Sequence, residues 1–239
     1  MAAPALAVDL RSETVPTAFG AKVAGADWTA IKRAFANAEI VTVRSLDDDD
    51  AAGTLRHALA RDANAAPCVI VFAVSGEITL SRALEIRSPR VWIAGQTAPR
   101  GPGGAGGITL TGHPLIVRAG RVVVEHLRVR PGPAELGGGD LQDGVRIGAS
   151  VSGDMADIVL RHLSVSWSAD ELLAIAPRMG ETIRRVSVTD CLFAQPLLDG
   201  GHPRGAHNYG VYLRRGARQV LLARNVMSGA TRRMPTLEQ

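Results

Sequence analysis

Short alternating strands recur along the second half of the chain, and this repeat constrains the fold more than any other feature. Each copy runs as alternating apolar and polar residues, bends once and continues as a second short strand. The clearest copies are RVVVEHLRVRPG (121–132), DIVLRHLSVSWS (157–168), RVSVTDCLFAQP (185–196) and RQVLLARNVMSG (218–229). Aligning His126, His162, Asp190 and Arg224 gives steps of 36, 28 and 34 residues. A loose period of this length predicts a solenoid.

The solenoid that fits best is an all-β parallel β-helix, because few helical segments interrupt the strands. The position after the aligned one holds Leu127, Leu163, Cys191 and Asn225, and three of these four side chains suit a dry interior. Asn225 would need a stacked amide or a backbone partner there. An antiparallel sandwich is the alternative fold, but hairpin signals such as Asn-Gly are absent from the sequence.

The amino-terminal part of the chain differs from the repeat. Apolar spacing predicts one helix in DWTAIKRAFANAE (27–39) and a second, shorter one in AGTLRHALARD (52–62). The acidic run DDDD (47–50) between them is interpreted as a solvated turn. We therefore divide the chain into an N-terminal segment with a short helical cap (1–40) and a β-helix domain (41–239).

The charge balance points to a polyanionic partner or to a solvated surface. The formal net charge is +4, and lysine occurs only at Lys22 and Lys32, so arginine supplies nearly all the positive charge. Arginine suits bidentate contacts to carboxylate or phosphate, which favours an acidic polysaccharide or a nucleic acid. With aromatic residues at 4% and no known binding motif, we predict that nucleic acid is not a partner.

Export and membrane signals are absent from the sequence as given. No run of about 18 apolar residues occurs, so we expect no membrane span. The amino terminus lacks a basic region, and Asp9 interrupts its apolar stretch, so no signal peptide is visible. Cys68 and Cys191 lie in apolar strand-like runs and are predicted to be buried free thiols.

An ordered set of motifs between about residues 40 and 236 resembles the pectate lyases, parallel β-helix polysaccharide lyases that cleave polygalacturonate. The motifs are IVTVRSLDDDDAAGTLRHAL, IVFAVSGEITL, VWIAGQTAPRGPGGAGGITLTG, VSWSADELLAI, HPRGAHNYG and ARNVMSGATRRMP. The resemblance implies a right-handed β-helix and a secreted enzyme whose partner is an acidic polysaccharide. We expect the chain to be monomeric.

The resemblance also implies a Ca²⁺ site in a cleft on one face of the helix. Asp170 matches a ligand of the family, and Asp143 matches an earlier carboxylate one coil back. Glu171 is the neighbouring candidate, but adjacent strand residues face opposite ways, so we expect only Asp170 to point into the cleft unless a bulge intervenes. Alternatively, these acids sit in surface turns and pair with arginines.

The chemistry that the resemblance implies is β-elimination. A base removes the proton at C5 of a uronate, and the glycosidic oxygen leaves from C4. The base of the family is an arginine in an Arg-x-Pro motif, and RRMP (232–235) supplies Arg233 at that position. Arg232 is an adjacent substitute or a clamp for the substrate.

The segment HPRGAHNYG (202–210) supplies the candidate substrate-binding residues His202, Arg204, His207 and Tyr209. Arginine can hold a uronate carboxylate with two hydrogen bonds, and tyrosine offers an apolar face with a hydroxyl group. A polar loop with capping histidines is the simpler interpretation. Zn²⁺ is not predicted, because the sequence offers no third ligand at a suitable spacing.

The sequence departs from the family in ways that keep a second function open. A second aspartate often follows four positions after Asp170, where this chain has Ala174. Relatives continue beyond the position of Gln239, so C-terminal coils are expected to be missing here. These departures favour a non-catalytic β-helix that binds glycans, or a decayed lyase. A glycoside hydrolase is disfavoured, because the sequence has no aspartate cluster after an Asn-Thr-Asp motif.

Overall fold

A computed structural model describes residues 25–100, 106–136, 141–148, 153 and 155–238. Short strands dominate these residues. In chain order they are β1 (Glu39–Val43), β2 (Cys68–Phe72), β3 (Gly76–Thr79), β4 (Leu84–Ile86), β5 (Val91–Ala94), β6 (Ile108–Thr111), β7 (Leu115–Val117), β8 (Val122–Glu125), β9 (Leu127–Arg130), β10 (Val145–Gly148), β11 (Met155–Arg161), β12 (Ser164–Val165), β13 (Glu171–Ala176), β14 (Ile183–Thr189), β15 (Leu192–Ala194), β16 (Tyr209–Leu213), β17 (Ala217–Ala223), β18 (Val226–Ser228) and β19 (Thr236–Leu237). Two α-helices, α1 (Trp28–Ala34) and α2 (Leu55–Leu59), accompany them. Neither described helix is long and apolar enough to cross a membrane.

The strands form three parallel sheets that wrap around one core. Sheet A has the order β1-β2-β5-β8-β11-β14-β17, sheet B runs β3-β6-β9-β12-β15-β18, and sheet C runs β4-β7-β10-β13-β16-β19. From β3 onward the chain visits the sheets in a repeating cycle, and every strand pairs with its counterpart one coil away. The predicted fold, a right-handed parallel β-helix, is confirmed.

The corner between sheet A and sheet B depends on single residues in the left-handed backbone conformation. His126, His162, Asp190 and Arg224 have φ angles of 54°, 54°, 56° and 56°, and they are the positions that align in the sequence repeat. Each of them directly follows a strand of sheet A. The rings of His126 and His162 stack at 4.4 Å, as expected for equivalent positions of adjacent coils.

The interior is filled by columns of equivalent side chains from successive coils. Leu127, Leu163 and Cys191 are at most 3% exposed and belong to the main core. Asn225 continues this column. Its amide donates to the carbonyl of Val188 and accepts the backbone N–H of Cys191, which is the partner that the sequence required. Cys191 is a buried free thiol, as is the other cysteine, which opens β2.

The two helices cover different surfaces of the β-helix. Helix α2 contributes Leu55 and Leu59 to the main core at the amino-terminal end of the β-helix. Helix α1 instead lies on the outer face of sheet A, where Ile31 and Phe35 pack against Trp92. Its first turn is capped by the Asp27 carboxylate, which accepts the N–H groups of the second and third helical residues.

The acidic run at residues 47–50 is not wholly solvated, so the prediction of a solvated turn is wrong for Asp48. Its side chain is only 5% exposed and forms a two-pronged ion pair with Arg56 of α2. It also accepts the N–H and hydroxyl groups of Ser81. Asp48 therefore ties α2 to the segment between β3 and β4.

Candidate functional site

A cleft opens over sheet C where the turns from sheet B enter its strands. Strands β10, β13 and β16 are neighbours in this sheet, so the residues that precede them lie close together. The residues that line the cleft are Leu141, Arg146, Asp170, Glu171, Arg204, Tyr212, Arg214, Arg233 and Glu238. The cleft therefore brings together residues from the predicted metal, substrate and catalytic groups.

Three buried carboxylates form the floor of this site. Asp143, Asp170 and Glu171 are 0%, 4% and 2% exposed, and each offers an oxygen within 4.8 Å of an oxygen of the other two. Asp143 precedes β10, and its Oδ1 accepts the backbone N–H of Glu171 at 3.2 Å. This contact links the two neighbouring coils that carry the acids.

Asp170 and Glu171 both take part in the carboxylate cluster, so the expectation that only one of them faces the cleft is wrong. Strand β13 begins at Glu171, and Asp170 lies in the turn before it. Alternation of side chains applies within a strand and does not apply across its first residue. No bulge is needed to direct both carboxylates to the same place.

Gln142 holds this turn in position, and sequence reasoning missed it. Its backbone carbonyl accepts the N–H groups of Ala169 and Asp170 at 3.1 and 3.2 Å. Its side-chain amide is buried and donates to the carbonyls of Gly112 and Pro131, both at 3.0 Å. A glutamine at the start of QDGVRIG (142–148) gives no signal of such a role, because its partners are backbone atoms of distant segments.

Two arginines are paired with the buried acids. Arg146 donates through Nη1 to Oδ2 of Asp143 at 2.7 Å. Arg233 contacts Oε1 of Glu171 through Nη1. The guanidinium of Arg233 also lies 4.3 Å from the ring centroid of Tyr209 and 4.5 Å from that of Tyr212, which is the distance range of cation–π contacts.

Two histidines close the other side of Asp170. The rings of His202 and His207 stack at 3.6 Å, and the residues are 5% and 7% exposed. Nε2 of His202 lies 3.7 Å from Oδ2 of Asp170, and Nε2 of His207 lies 3.9 Å from Oδ1. These two predicted substrate-binding residues therefore face the acid more than the solvent.

The other predicted residues occupy different positions around the cleft. Arg204 is exposed and lines it. Tyr209 opens β16 and packs against the ring of His207 at 4.4 Å. Arg232 is exposed and joins the site through its backbone, which pairs with Tyr209. Among the adjacent arginines, Arg233 is the one that contacts the acids.

Burial and mutual repulsion raise the proton affinity of two acids. Burial raises the pKa of Asp143, although the neighbouring Arg146 opposes the shift. Burial first, and the negative charge of Asp143 second, raise the pKa of Asp170 to about 6, while His202, His207 and Arg233 oppose the rise. A bound cation or a bound proton would therefore stabilise the carboxylate cluster.

The donor atoms fit a hard divalent cation. Ca²⁺ binds oxygens at about 2.3–2.6 Å, so two oxygens on one ion can be about 5 Å apart, and those of Asp143, Asp170 and Glu171 lie within 4.8 Å. Among the described residues, Oδ1 of Asp170 is buried and accepts no hydrogen bond. Glu171 could join only if its contact with Arg233 loosened, because one oxygen already receives that guanidinium.

Ala174 stands where the resemblance implies a second aspartate. Ala174 lies in β13, directly between Arg146 of β10 and Tyr212 of β16 in the register of sheet C. It is fully buried. The neighbouring Arg146 brings positive charge beside the cluster at this place.

The chain is similar to several curated fungal proteins that carry the name probable pectate lyase C. It is 32% identical to the protein of Emericella nidulans over 160 residues, which are 66% of this chain and 32% of that protein. It is 31% identical to the protein of Aspergillus terreus over 66% of this chain and 33% of that one, and 32% identical to that of Neosartorya fischeri over 71% and 36%. No protein-family model matches the chain. The chain spans about a third of the length of these relatives.

Proposed function

We propose that the protein is a Ca²⁺-dependent polysaccharide lyase of the pectate lyase type, which cleaves polygalacturonate or a related acidic glycan by β-elimination. The observation that carries this proposal is the cluster of three buried carboxylates with Arg233 at its edge, in one cleft of a parallel β-helix. The named relatives support it at the level of the family. Export to the polymer is part of the proposal.

The residues that would hold the ion are Asp143, Asp170 and Glu171. If bound there, a Ca²⁺ ion would supply positive charge beside the uronate carboxylate, and this charge would stabilise the negative charge that develops when C5 loses its proton. Asp143 and Asp170 are buried, so their charges act through little solvent.

Arg233 is the proposed base, and its contacts in the structure hold it in a position from which it must move before it can act. The guanidinium lies between Tyr209 and Tyr212 and contacts Glu171. Pairing with a carboxylate favours the charged form, so Arg233 must leave Glu171 and lose one proton to solvent before it can accept the C5 proton. The electrons of the broken C5–H bond then form the C4–C5 double bond, and the glycosidic oxygen leaves with the electrons of the C4–O bond and takes a proton from solvent.

The exposed residues at the rim are suited to an acidic sugar. Arg204 lines the cleft and can donate two hydrogen bonds to one carboxylate of the polymer. Arg214 also lines the cleft and can bind the carboxylate of a second uronate unit. These contacts favour polygalacturonate over a neutral glycan.

Ultraviolet absorbance of purified protein with polygalacturonate tests the proposal. Elimination leaves a conjugated C4–C5 double bond that absorbs, whereas hydrolysis yields only new reducing ends. We expect absorbance to rise with Ca²⁺, to stop when a chelator is added, and to return with excess Ca²⁺. New reducing ends without absorbance would contradict the lyase and indicate hydrolysis.

A non-catalytic or decayed glycan-binding protein is the second candidate. The ion pairs of Arg233 with Glu171 and of Arg146 with Asp143 favour it, because they already neutralise two of the three acids. Titration calorimetry with oligogalacturonates separates the candidates. Binding that weakens in Arg204→Ala, with no product of either kind, favours this function over the lyase.

A further inference from the structure

We propose that Asp170, His202 and His207 form a second binding site, which takes a late first-row transition metal such as Zn²⁺, Co²⁺ or Ni²⁺. The site shares Asp170 with the carboxylate cluster and uses the two imidazole rings on its other side. The proposal goes beyond the lyase function and does not require it, because it concerns only which ions these three side chains bind.

The separation between each histidine and Asp170 fits one ion. A transition metal binds imidazole nitrogen and carboxylate oxygen at about 2.0–2.1 Å, so two ligand atoms on one ion lie at most about 4.2 Å apart. Nε2 of His202 and of His207 lie 3.7 and 3.9 Å from the two oxygens of Asp170. These gaps are too long for a hydrogen bond and short enough for a shared ion.

The ring of His207 is already oriented as a ligand. Its Nδ1 lies 2.9 Å from the carbonyl oxygen of Gly205, which can only accept, so Nδ1 carries the proton and donates. In the neutral ring Nε2 therefore presents a lone pair toward Asp170. A backbone carbonyl that fixes the ring in this way is the usual outer support of a metal-bound histidine.

His202 is the ligand that must adjust. Its Nδ1 accepts the backbone N–H of Arg204 at 3.2 Å, which places the proton of the neutral ring on Nε2. Coordination through Nε2 moves that proton to Nδ1 and replaces the contact with Arg204. His207 and Asp170 should therefore supply most of the affinity, and His202 should add less.

The type of donor separates this site from the carboxylate cluster. Two nitrogens and one oxygen favour transition metals, whereas three carboxylates favour Ca²⁺. Because both sets need Asp170, the two ions should compete. We expect a transition metal to bind more tightly and to be displaced only by a large excess of Ca²⁺.

Cobalt titration of the full chain, without a histidine tag and stripped with a chelator, tests the site. We expect one Co²⁺ per chain, with visible d–d absorption and a heat of binding in calorimetry. His207→Ala and Asp170→Asn should weaken Co²⁺ binding 10- to 100-fold or more. His57→Ala, at an exposed histidine of α2, is the matched control and should change nothing.

A further variant distinguishes the two clusters. Asp143→Asn should weaken Ca²⁺ binding and leave Co²⁺ affinity within about threefold, since Asp143 belongs only to the carboxylate set. Loss of Co²⁺ binding in Asp143→Asn but not in His207→Ala would overturn the proposal, as would a wild-type chain that binds no Co²⁺. If His207→Ala does not fold, His207→Gln replaces it. None of these readouts uses lyase activity. If the proposed lyase function fails its own test, the test of this metal site is unaffected.

Discussion

Replacing Asp170 by asparagine should stabilise the metal-free protein at neutral pH. Asp170 is 4% exposed and lies beside Asp143, and both burial and this neighbour raise its pKa from 3.8 to about 6. The folded chain therefore binds this proton more tightly than the unfolded chain does. Stability is highest while the group is protonated in both states, and it falls as the pH rises from about 4 to about 6.

The size of the effect follows from the shift. A difference of one pKa unit corresponds to about 1.4 kcal/mol, so a rise from 3.8 to about 6 costs up to about 3 kcal/mol at pH 7. Asparagine removes that charge, although it also loses the attraction to His202 and His207. Because Asp143 is coupled to the same equilibrium, the pair titrates together and the change spreads over a wide pH range.

Urea unfolding in a chelating buffer between pH 4 and pH 8 measures the difference. Asp170→Asn should exceed the wild type by up to about 3 kcal/mol at pH 7, and the gain should vanish near pH 4. Asp62→Asn, at an exposed aspartate remote from the cleft, is the control and should differ little at either pH. A variant that is less stable than the wild type at pH 7, or a gain independent of pH, would refute the reasoning.

Three more predictions concern the fold. Phe193→Ala should lower the free energy of unfolding in urea by about 3–5 kcal/mol, because the ring is fully buried. Leu192→Ala, at a side chain that is 40% exposed, should lower it far less. Equal losses would contradict the assignment of Phe193 to the interior and Leu192 to the surface. Asp48→Asn should cost about 3–5 kcal/mol near pH 7, because the buried charge of Arg56 would then lack a carboxylate partner. Although burial opposes the shift, hydrogen bonds from Arg56 and Ser81 lower the pKa of Asp48, so this contribution is present above pH 3.8 and is lost as the pH falls through the lowered pKa. A deficit that does not shrink as the pH falls below 3.8 would argue against the pair. Burial raises the pKa of Cys191 to about 12, so the thiol should react with an aromatic disulfide reagent at pH 8 only after unfolding, and rapid reaction of the native protein would show it to be accessible.

The sequence repeat carries most of the information about the fold. The aligned positions His126, His162, Asp190 and Arg224 share one backbone conformation because each coil turns the same corner. Their side chains differ widely. What repeats from coil to coil is the backbone conformation at this corner and the apolar character of the next residue, not the identity of the corner residue. A sequence period of this kind is therefore enough to predict which residues lie in the interior column and which form the corners.

Residues whose role depends on distant partners were harder to predict. The burial of Asp48 follows from Arg56 and Ser81, which lie 8 and 33 residues away, and nothing in a run of four aspartates distinguishes it. The fixed turn before Asp170 depends in the same way on Gln142, through backbone groups of another coil.

The sequence predicts which residues share the candidate site, but it does not predict the contacts among them. The resemblance predicts that Asp143, Asp170 and Arg233 share one cleft, and in the structure Asp143 and Arg233 lie near Asp170. Their roles stay predictions. Sequence reasoning did not find that His202 and His207 meet at Asp170, because the histidines and the acid are separated by a complete coil. Asp170, one coil earlier, is the third candidate metal ligand that the spacing around the two histidines did not reveal.

The initial rate at which unsaturated product forms from polygalacturonate, compared between the wild type and Arg233→Ala at saturating Ca²⁺, tests the central claim most directly. The proposed lyase predicts that the wild type forms the conjugated product and that the variant loses at least about 100-fold of this rate, since a positioned base contributes about that much or more. Equal rates in two folded proteins would contradict Arg233 as the base. No conjugated product from the folded wild type would contradict the lyase itself.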